Sequence, residues 1–230
     1  MLSGGVDSEV MLRCFVELKI PVNVFIFCYE NNYNAFDVTN AKKLCAELNI
    51  TPTVIDFNLE KFFETDAYDI WTKCHCLNSG RLPHMKMLDY LDNTVIMGDG
   101  DFDWERKDNQ WLLVIREIDF SQSVYATAVN RPVVQWYSYS PEITLSIFYD
   151  PVMNSMHESY NVVKYFLNKS HWPAVQIRPK AVGYEGNKPL GLPMSKPDFM
   201  LEFNKKYIPS GFPSYYFTEQ EMLNQLVRHE

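Results

Sequence analysis

No stretch of about 18 consecutive apolar residues occurs in this chain of 230 residues, so the sequence holds no candidate membrane span. The first residues also lack a basic segment followed by an apolar one, and no secretion signal is read there. Positive charge is scarce: 21 Lys and Arg stand against 29 Asp and Glu, for a net charge of -8 and a pI near 5.2. That balance argues against a surface built mainly to hold a long polyphosphate backbone, which leaves nucleic acids, tRNA included, as secondary partners. Cysteines do not come in pairs either. The five, at positions 14, 28, 45, 74 and 76, are an odd number, and reduced thiols in a reducing compartment account for them most simply. The expected location is cytoplasmic, without membrane contact. Repeats and low-complexity segments are absent, and with 47% hydrophobic residues the chain is long enough for one domain with a complete core plus an appendage.

The pattern along the first hundred residues alternates. Val10, Met11, Cys14, Phe15 and Leu18 recur at helical spacing from Ser8 to Lys19, and Pro21 stops them. Val22 to Tyr29 is a short, almost continuously apolar run that reads as a strand covered on both faces. Ala35 to Leu48 returns to helical period, Thr53 to Phe57 is a second strand, and a long helical stretch follows in two pieces broken near Asn78, Ser79 and Gly80. Thr94 to Met97 is a third strand ending at Gly98. This alternation predicts an α/β fold, an open parallel sheet with helices on both faces, whose ligands sit at the carboxyl ends of the strands. Two units are expected: a nucleotide-binding core over residues 1–103 and an extension over 104–230 packed on it. In the extension, Trp104 to Glu117 reads as a hairpin turning at Asp108 and Asn109. Ser140 before Pro141 and Asp150 before Pro151 read as helix starts, and Thr218 with Glu221 as a capping box. The Pro- and Gly-rich stretch 172–213 reads as mostly irregular, and the aromatics from Trp136 to Tyr149 as core.

Two glycine-bearing loops fall where such a sheet binds ligands. In Ser3-Gly4-Gly5-Val6-Asp7-Ser8, a glycine pair at a helix start lets backbone approach an anion, while helix amides and the serine hydroxyls donate to it. Asp7 can face a metal ion that accompanies phosphates. Taken alone, a tight connection accounts for a Gly-Gly turn equally well. The second loop, Gly98-Asp99-Gly100-Asp101-Phe102-Asp103, sets carboxylates at alternate positions, which is costly unless a cation or an amine-bearing substrate compensates them.

The full string SGGVDS resembles the pyrophosphate-binding PP-loop, SGGxDS, of the N-type ATP pyrophosphatases, which include asparagine and argininosuccinate synthetases, GMP synthetase, NAD synthetase and tRNA thiolases. The resemblance covers residues 1–103. GDGDFD is similar to the GDGxDE stretch of the asparagine synthetases, with the adjacent Asp-Glu pair replaced by Asp101 and Asp103 around Phe102. The resemblance implies a HUP-like, adenine nucleotide alpha hydrolase-like core and an ATP-dependent ligase that activates a carboxylate or amide oxygen as an adenylate, releases pyrophosphate and then aminates. It implies ATP and magnesium, with Ser3, Gly4, Gly5, Val6, Asp7, Ser8 and Gly98 around the phosphates and Phe27, Cys28 and Tyr29 near adenine. Asp7, Asp99 and Asp101 are the implied metal ligands. Asp7, Asp99 and Lys180 are the expected catalytic groups, Lys180 as a phosphate contact from the stretch that also carries Arg178 and Glu185. A solvated surface lysine is the rival account of Lys180. The partners implied are a small-molecule acceptor and an ammonia- or sulfur-donating protein; a tRNA or nucleoside sulfurtransferase and a non-catalytic nucleotide-binding module are the alternatives.

Lesser candidates are Arg81 and His84, which either face the nucleotide or belong to an exposed helix start. Cys74-His75-Cys76 falls short of a four-ligand metal site and reads as structural. Only Met1 and Leu2 stand where this family has a central apolar strand before the loop. The expectations are therefore an upstream beginning for the natural protein, a truncated first strand and poor folding of the chain alone. No amino-terminal glutaminase segment is seen.

Overall fold

The computed structural model describes residues 1–98, 103–108, 110–116, 121–136, 141–155, 160–173, 197–208, 214–218 and 220–221. In chain order the elements are α1 (Val6–Glu17), β1 (Phe25–Tyr29), α2 (Ala35–Glu47), β2 (Thr53–Phe57), α3 (Leu59–Thr65), α4 (Ala67–Cys74), α5 (Leu82–Lys86), β3 (Val95–Met97), β4 (Asp103–Lys107) and β5 (Gln110–Arg116). They continue with α6 (Ser121–Ala128), β6 (Val133–Gln135), α7 (Pro141–Phe148), α8 (Pro151–Ser155), α9 (Tyr160–His171), α10 (Asp198–Tyr207) and β7 (Ser214–Phe217). The fold is mixed α/β. Among the described residues no helix is long and apolar enough to cross a membrane.

The chain forms two compact units: residues 1–99, 117–136 and 195–212 in one, and 100–116, 137–194 and 213–230 in the other. In the first, β1 pairs in parallel with β2, Phe25 opposite Thr53 and Tyr29 opposite Phe57, while β3 pairs in parallel with β6. The first two residues lie between these pairs: Leu2 N–H donates to Phe25 C=O at 2.9 Å, and the Met1 ammonium donates to Ile96 C=O at 2.8 Å. A cavity of about 390 Å3 opens beside them, bounded by Met11, Leu12, Phe15, Val24, Val95 and Ile96 among others.

Strand β1 shows why its sequence is apolar on both faces. Ile26 and Val24 turn to Leu2, Leu12, Val38, Ala41 and Leu44 on one side. Phe27 turns to the larger cluster of Phe57, Phe62, Leu82, Met85, Leu88 and Met97 on the other. Successive side chains of a strand point to opposite faces, so helices on both sides need both registers apolar.

The sequence-based reading differs from the structure most in the stretch 172–213. Helix α10 forms there, with Met200 and Phe203 buried in the main cluster. Phe199, Met200, Phe203 and Tyr207 have helical spacing, and the surrounding Pro and Gly residues hide it. The parallel partner β6 and the helices α6 and α9 were also not anticipated. The first strand begins at Phe25 rather than Val22.

In the second unit, β4 and β5 form the expected antiparallel hairpin, with Asp108 at φ +50 in its turn, and β7 adds to the other edge of β5. Trp104, Trp111, Leu113, Met153 and Leu167 make its core, and Trp111 Nε1 donates to Met153 C=O at 2.8 Å. Both anticipated proline-led helices form, and Asp150 Oδ1 caps α8 by accepting from Val152 N–H at 2.9 Å. The reciprocal bonds of the capping box are present as well: Glu221 Oε2 accepts from Thr218 N–H at 2.8 Å, and Thr218 Oγ1 accepts from Glu221 N–H at 3.3 Å.

Candidate functional site

The loop Ser3 to Ser8 turns the chain from the extended Met1–Leu2 segment into α1. Gly4 makes the turn at φ +82, a conformation that side-chain-bearing residues rarely adopt, and a Cβ there would run into the backbone carbonyl of Asp37 at the start of α2. Gly5 is the N-cap residue in extended conformation; it has no side chain to cap the helix, and its own N–H donates to Ser3 Oγ at 3.4 Å. Ser8, 2% exposed, ties the loop together: its Oγ donates to Gly5 C=O at 3.1 Å, accepts from Ser3 N–H at 3.2 Å and lies 3.1 Å from Ser3 Oγ. Asp7 stands half-buried in the first turn of α1. The result is a glycine turn tied by the two serines to the amino end of α1, where the helix dipole favours an anion.

Gly98, at the end of β3, packs directly on this helix start. A Cβ on it would sit 2.8 Å from Ser8 N and 2.9 Å from Ser8 Cα, closer than real contacts allow. The beginning of the acidic loop, at the carboxyl end of the parallel strand β3, therefore touches the glycine loop, which follows the Met1–Leu2 segment. Asp99, Gly100, Asp101 and Phe102, like Arg178, Lys180 and Glu185, lie outside the described residues. Asp103 opens β4 in the second unit.

Phe27, Cys28 and Tyr29 end β1 at the same rim. A small cavity of about 80 Å3 there is bounded by Ser3, Phe27, Tyr29, Asn34, Asp37 and His84 among others. Of the pair Arg81 and His84, it is His84, on α5, that reaches this cavity. Lys73 lies over the Tyr125 ring at 5.9 Å, and Lys86 pairs with Asp89 at 3.0 Å and Asp66 at 3.4 Å, so both of these cations serve the scaffold.

No protein-family model and no curated protein matches the chain.

The site thus stands on its own residues. Magnesium keeps several waters and takes one or two carboxylates plus substrate phosphate oxygens, so a single half-exposed carboxylate at Asp7 beside the loop fits it. Among the described residues there is no group of three or more His, Cys, Asp or Glu able to hold an ion unaided. Cys74 and Cys76 do not supply one. Cys74 Sγ donates to Ile70 C=O and contacts Met85 Sδ, Cys76 Sγ donates to Asn78 C=O and receives Ser121 Oγ–H, and all five thiols are free. Burial pushes the Cys74 thiol up to about 11.

Two features of the site were not anticipated from sequence. Arg13 is 7% exposed and donates through Nη2 and Nε to Glu9 Oε1 at 2.8 and 3.0 Å, and through Nη1 to Glu47 Oε1 at 3.0 Å. Burial opposes the guanidinium charge, but the hydrogen bonds from Glu47 and Glu9 and their charges outweigh it and hold its pKa above the ordinary value. The i,i+4 spacing of Glu9 and Arg13 was the available signal. The second feature is Asn34, whose carboxamide bridges the end of β1; nothing in residue type or spacing signals it.

Proposed function

We propose that the chain is an ATP-dependent adenylating enzyme of the PP-loop kind. On this reading β2, β1, the Met1–Leu2 segment, β3 and β6 belong to one open parallel sheet of the HUP-like type. The pyrophosphate of ATP lies on the Ser3–Ser8 loop, with Asp7 as a magnesium ligand. A carboxylate or amide oxygen of a small-molecule acceptor attacks the α-phosphorus and displaces pyrophosphate, and ammonia then displaces AMP from the adenylate. The ammonia comes from solution or from a partner protein. The observation that carries the reading is the complete SGGVDS string folded as a glycine turn at the start of α1, with Gly98 of the acidic loop in contact with it. The buried positions of Cys74 and Cys76 speak against persulfide chemistry at those two thiols, which leaves the half-buried Cys14 and Cys28 as the thiols the sulfurtransferase alternative would use.

The test is pyrophosphate release from ATP and magnesium across a panel of amino acids, other carboxylates and tRNA, with Asp7→Ala as the control. Release that depends on one acceptor and falls at least about a hundredfold in the variant is the expected result, because charge stabilisation at the transferring phosphoryl group is lost. ATP binding with no release under any condition turns the reading into a non-catalytic nucleotide-binding module.

A further inference from the structure

The hairpin of the second unit breaks its own pattern at one inward position. Successive side chains of a strand alternate between faces, and Trp104 on β4 and Trp111 and Leu113 on β5 turn to the core with Met153 and Leu167. Arg106, two residues after Trp104 and directly opposite Trp111 in the ladder, shares that face. A solvated position carries an arginine at little cost, whereas a core-facing one must compensate its charge. Where residue type and position disagree in this way, a functional site is a common reason.

Arg106 lines a cavity of about 340 Å3, which falls in the size range of small-molecule pockets, and every described residue around it belongs to the second unit. The inner wall is aromatic. Trp111 is buried and fixed by the hydrogen bond from its Nε1 to Met153 C=O at 2.8 Å, and the half-buried Phe148 stacks on Trp104 with ring centroids 5.4 Å apart. The Arg106 guanidinium lies over the Trp111 ring, 5.8 Å from its centroid. Gln110, Asn154 and Thr218, all exposed, bring two carboxamides and a hydroxyl to the mouth. No carboxylate is among the described lining residues.

Each of these features narrows the ligand. A guanidinium offers N–H donors in one plane that match the two oxygens of a carboxylate. Two aromatic walls take a flat apolar body by stacked or edge contacts. An amino acid would bring an ammonium to a wall that offers it no carboxylate among those residues, and inorganic phosphate would leave the aromatic walls unused.

We propose that this cavity binds a small aromatic carboxylate, with the carboxylate on Arg106, the ring against Trp111 and Phe148, and polar ring substituents at Gln110, Asn154 and Thr218. The site lies within the second unit and does not rest on the ATP-binding reading of the first.

The experiment titrates the full chain with 4-hydroxybenzoate, its neutral analogue 4-hydroxybenzamide and inorganic phosphate, and follows the Trp111 indole N–H resonance, assigned by its absence from Trp111→Phe. Expected are a saturable shift with 4-hydroxybenzoate, binding of the amide weaker by at least about tenfold because the charge-assisted pair is lost, and no shift with phosphate. Arg106→Gln should weaken 4-hydroxybenzoate by at least about tenfold. Should that variant fold poorly, Asn154→Trp, at an exposed position on α8, serves instead: it blocks the mouth and should abolish binding. An unmoved Trp111 resonance on adding 4-hydroxybenzoate, equal affinity for the acid and the amide, or unchanged binding by folded Arg106→Gln or Asn154→Trp overturns the proposal. A shift with phosphate alone overturns it too, since it marks a plain anion site.

Discussion

Replacing Arg13 by methionine tests what holds the candidate loop in place. The guanidinium makes three hydrogen bonds to two carboxylates, and the side chains of Arg13 and Glu9 are 8% and 4% exposed while that of Glu47 is 45% exposed. The exposed half, Arg13 to Glu47, is worth at most about 1 kcal/mol. The buried half behaves differently: removing the cation leaves the Glu9 carboxylate desolvated without its guanidinium, and breaking one side of such a pair costs about 3 to 5 kcal/mol. Arg13→Met should therefore lower stability by about 4 kcal/mol, read as a fall in the urea midpoint at constant slope. Replacing both partners, Arg13→Met with Glu9→Met, should recover most of that loss, because an apolar pair of similar volume packs without the desolvation term. Arg13 against Glu47 links α1 to the end of α2, and Gly4, in the loop before α1, packs on Asp37 near its start, so on the proposed reading the single variant should also weaken pyrophosphate binding at the other end of α1. Single substitutions that each cost under about 1 kcal/mol and add in the double variant would refute the reasoning, since two groups in contact must couple.

Gly4→Ala should cost about 3 kcal/mol or more in chemical denaturation, combining left-handed strain with a Cβ driven into the Asp37 backbone; a loss under about 1 kcal/mol would mean the turn relaxes freely. Alkaline pH should destabilise the fold: burial pushes the Cys74 thiol from 9.0 up to about 11, and burial with the Asp89 charge pushes the Tyr125 phenol from 10.0 up to about 12. Both groups hold their proton more tightly when folded, so their contribution is complete below pH 9 and drains away between about pH 9 and 12, up to roughly 3 kcal/mol for each; a stability flat to pH 12 would contradict it. Joining about five apolar, β-branched residues to the amino end of Met1 should raise Tm by about 4 °C or more by filling the slot between β1 and β3, and an unchanged Tm would show that the slot does not take a strand.

Strands and helices with strong periodicity were legible. Thr53 to Phe57 forms as expected, and the helix expected over Ala35 to Leu48 forms as Ala35–Glu47, where Val38, Ala41, Leu44 and Cys45 recur at helical period and are buried. Helix α10 was illegible for a local reason: Pro and Gly density sets the reading of a window, whereas burial of Met200 and Phe203 against Phe63 and Leu82 decides the outcome. Short strand β6 was missed because three residues carry too little pattern, and its identity comes from pairing with β3, an interaction across more than thirty residues. The glycine turn was legible because Gly4, at φ +82 against the Asp37 carbonyl, does work that only glycine does there, whereas a Cβ on Gly5 would make an ordinary contact with Ser3 Oγ at 3.5 Å. The bridging role of Asn34 was not, because it is an interaction with backbone groups that any residues at 27 and 29 would provide.

That contrast bears on how the rim of the sheet discriminates. Gly4 against the Asp37 carbonyl, Gly98 against Ser8, and Asn34 on Phe27 C=O and Tyr29 N–H are all contacts to main chain rather than between side chains. Pairing with β2 along its other edge holds β1 in place, so the main-chain groups of Phe27 and Tyr29 keep their positions whatever side chains stand there. On the proposed reading, the same rigidity means that a ligand must fit the backbone pattern as it stands. Substitutions of the side chains of Phe27, Cys28 or Tyr29 should then alter packing more than ligand choice, whereas changes at Gly4, Gly98 or Asn34, which govern access to the main chain, should alter ligand choice directly.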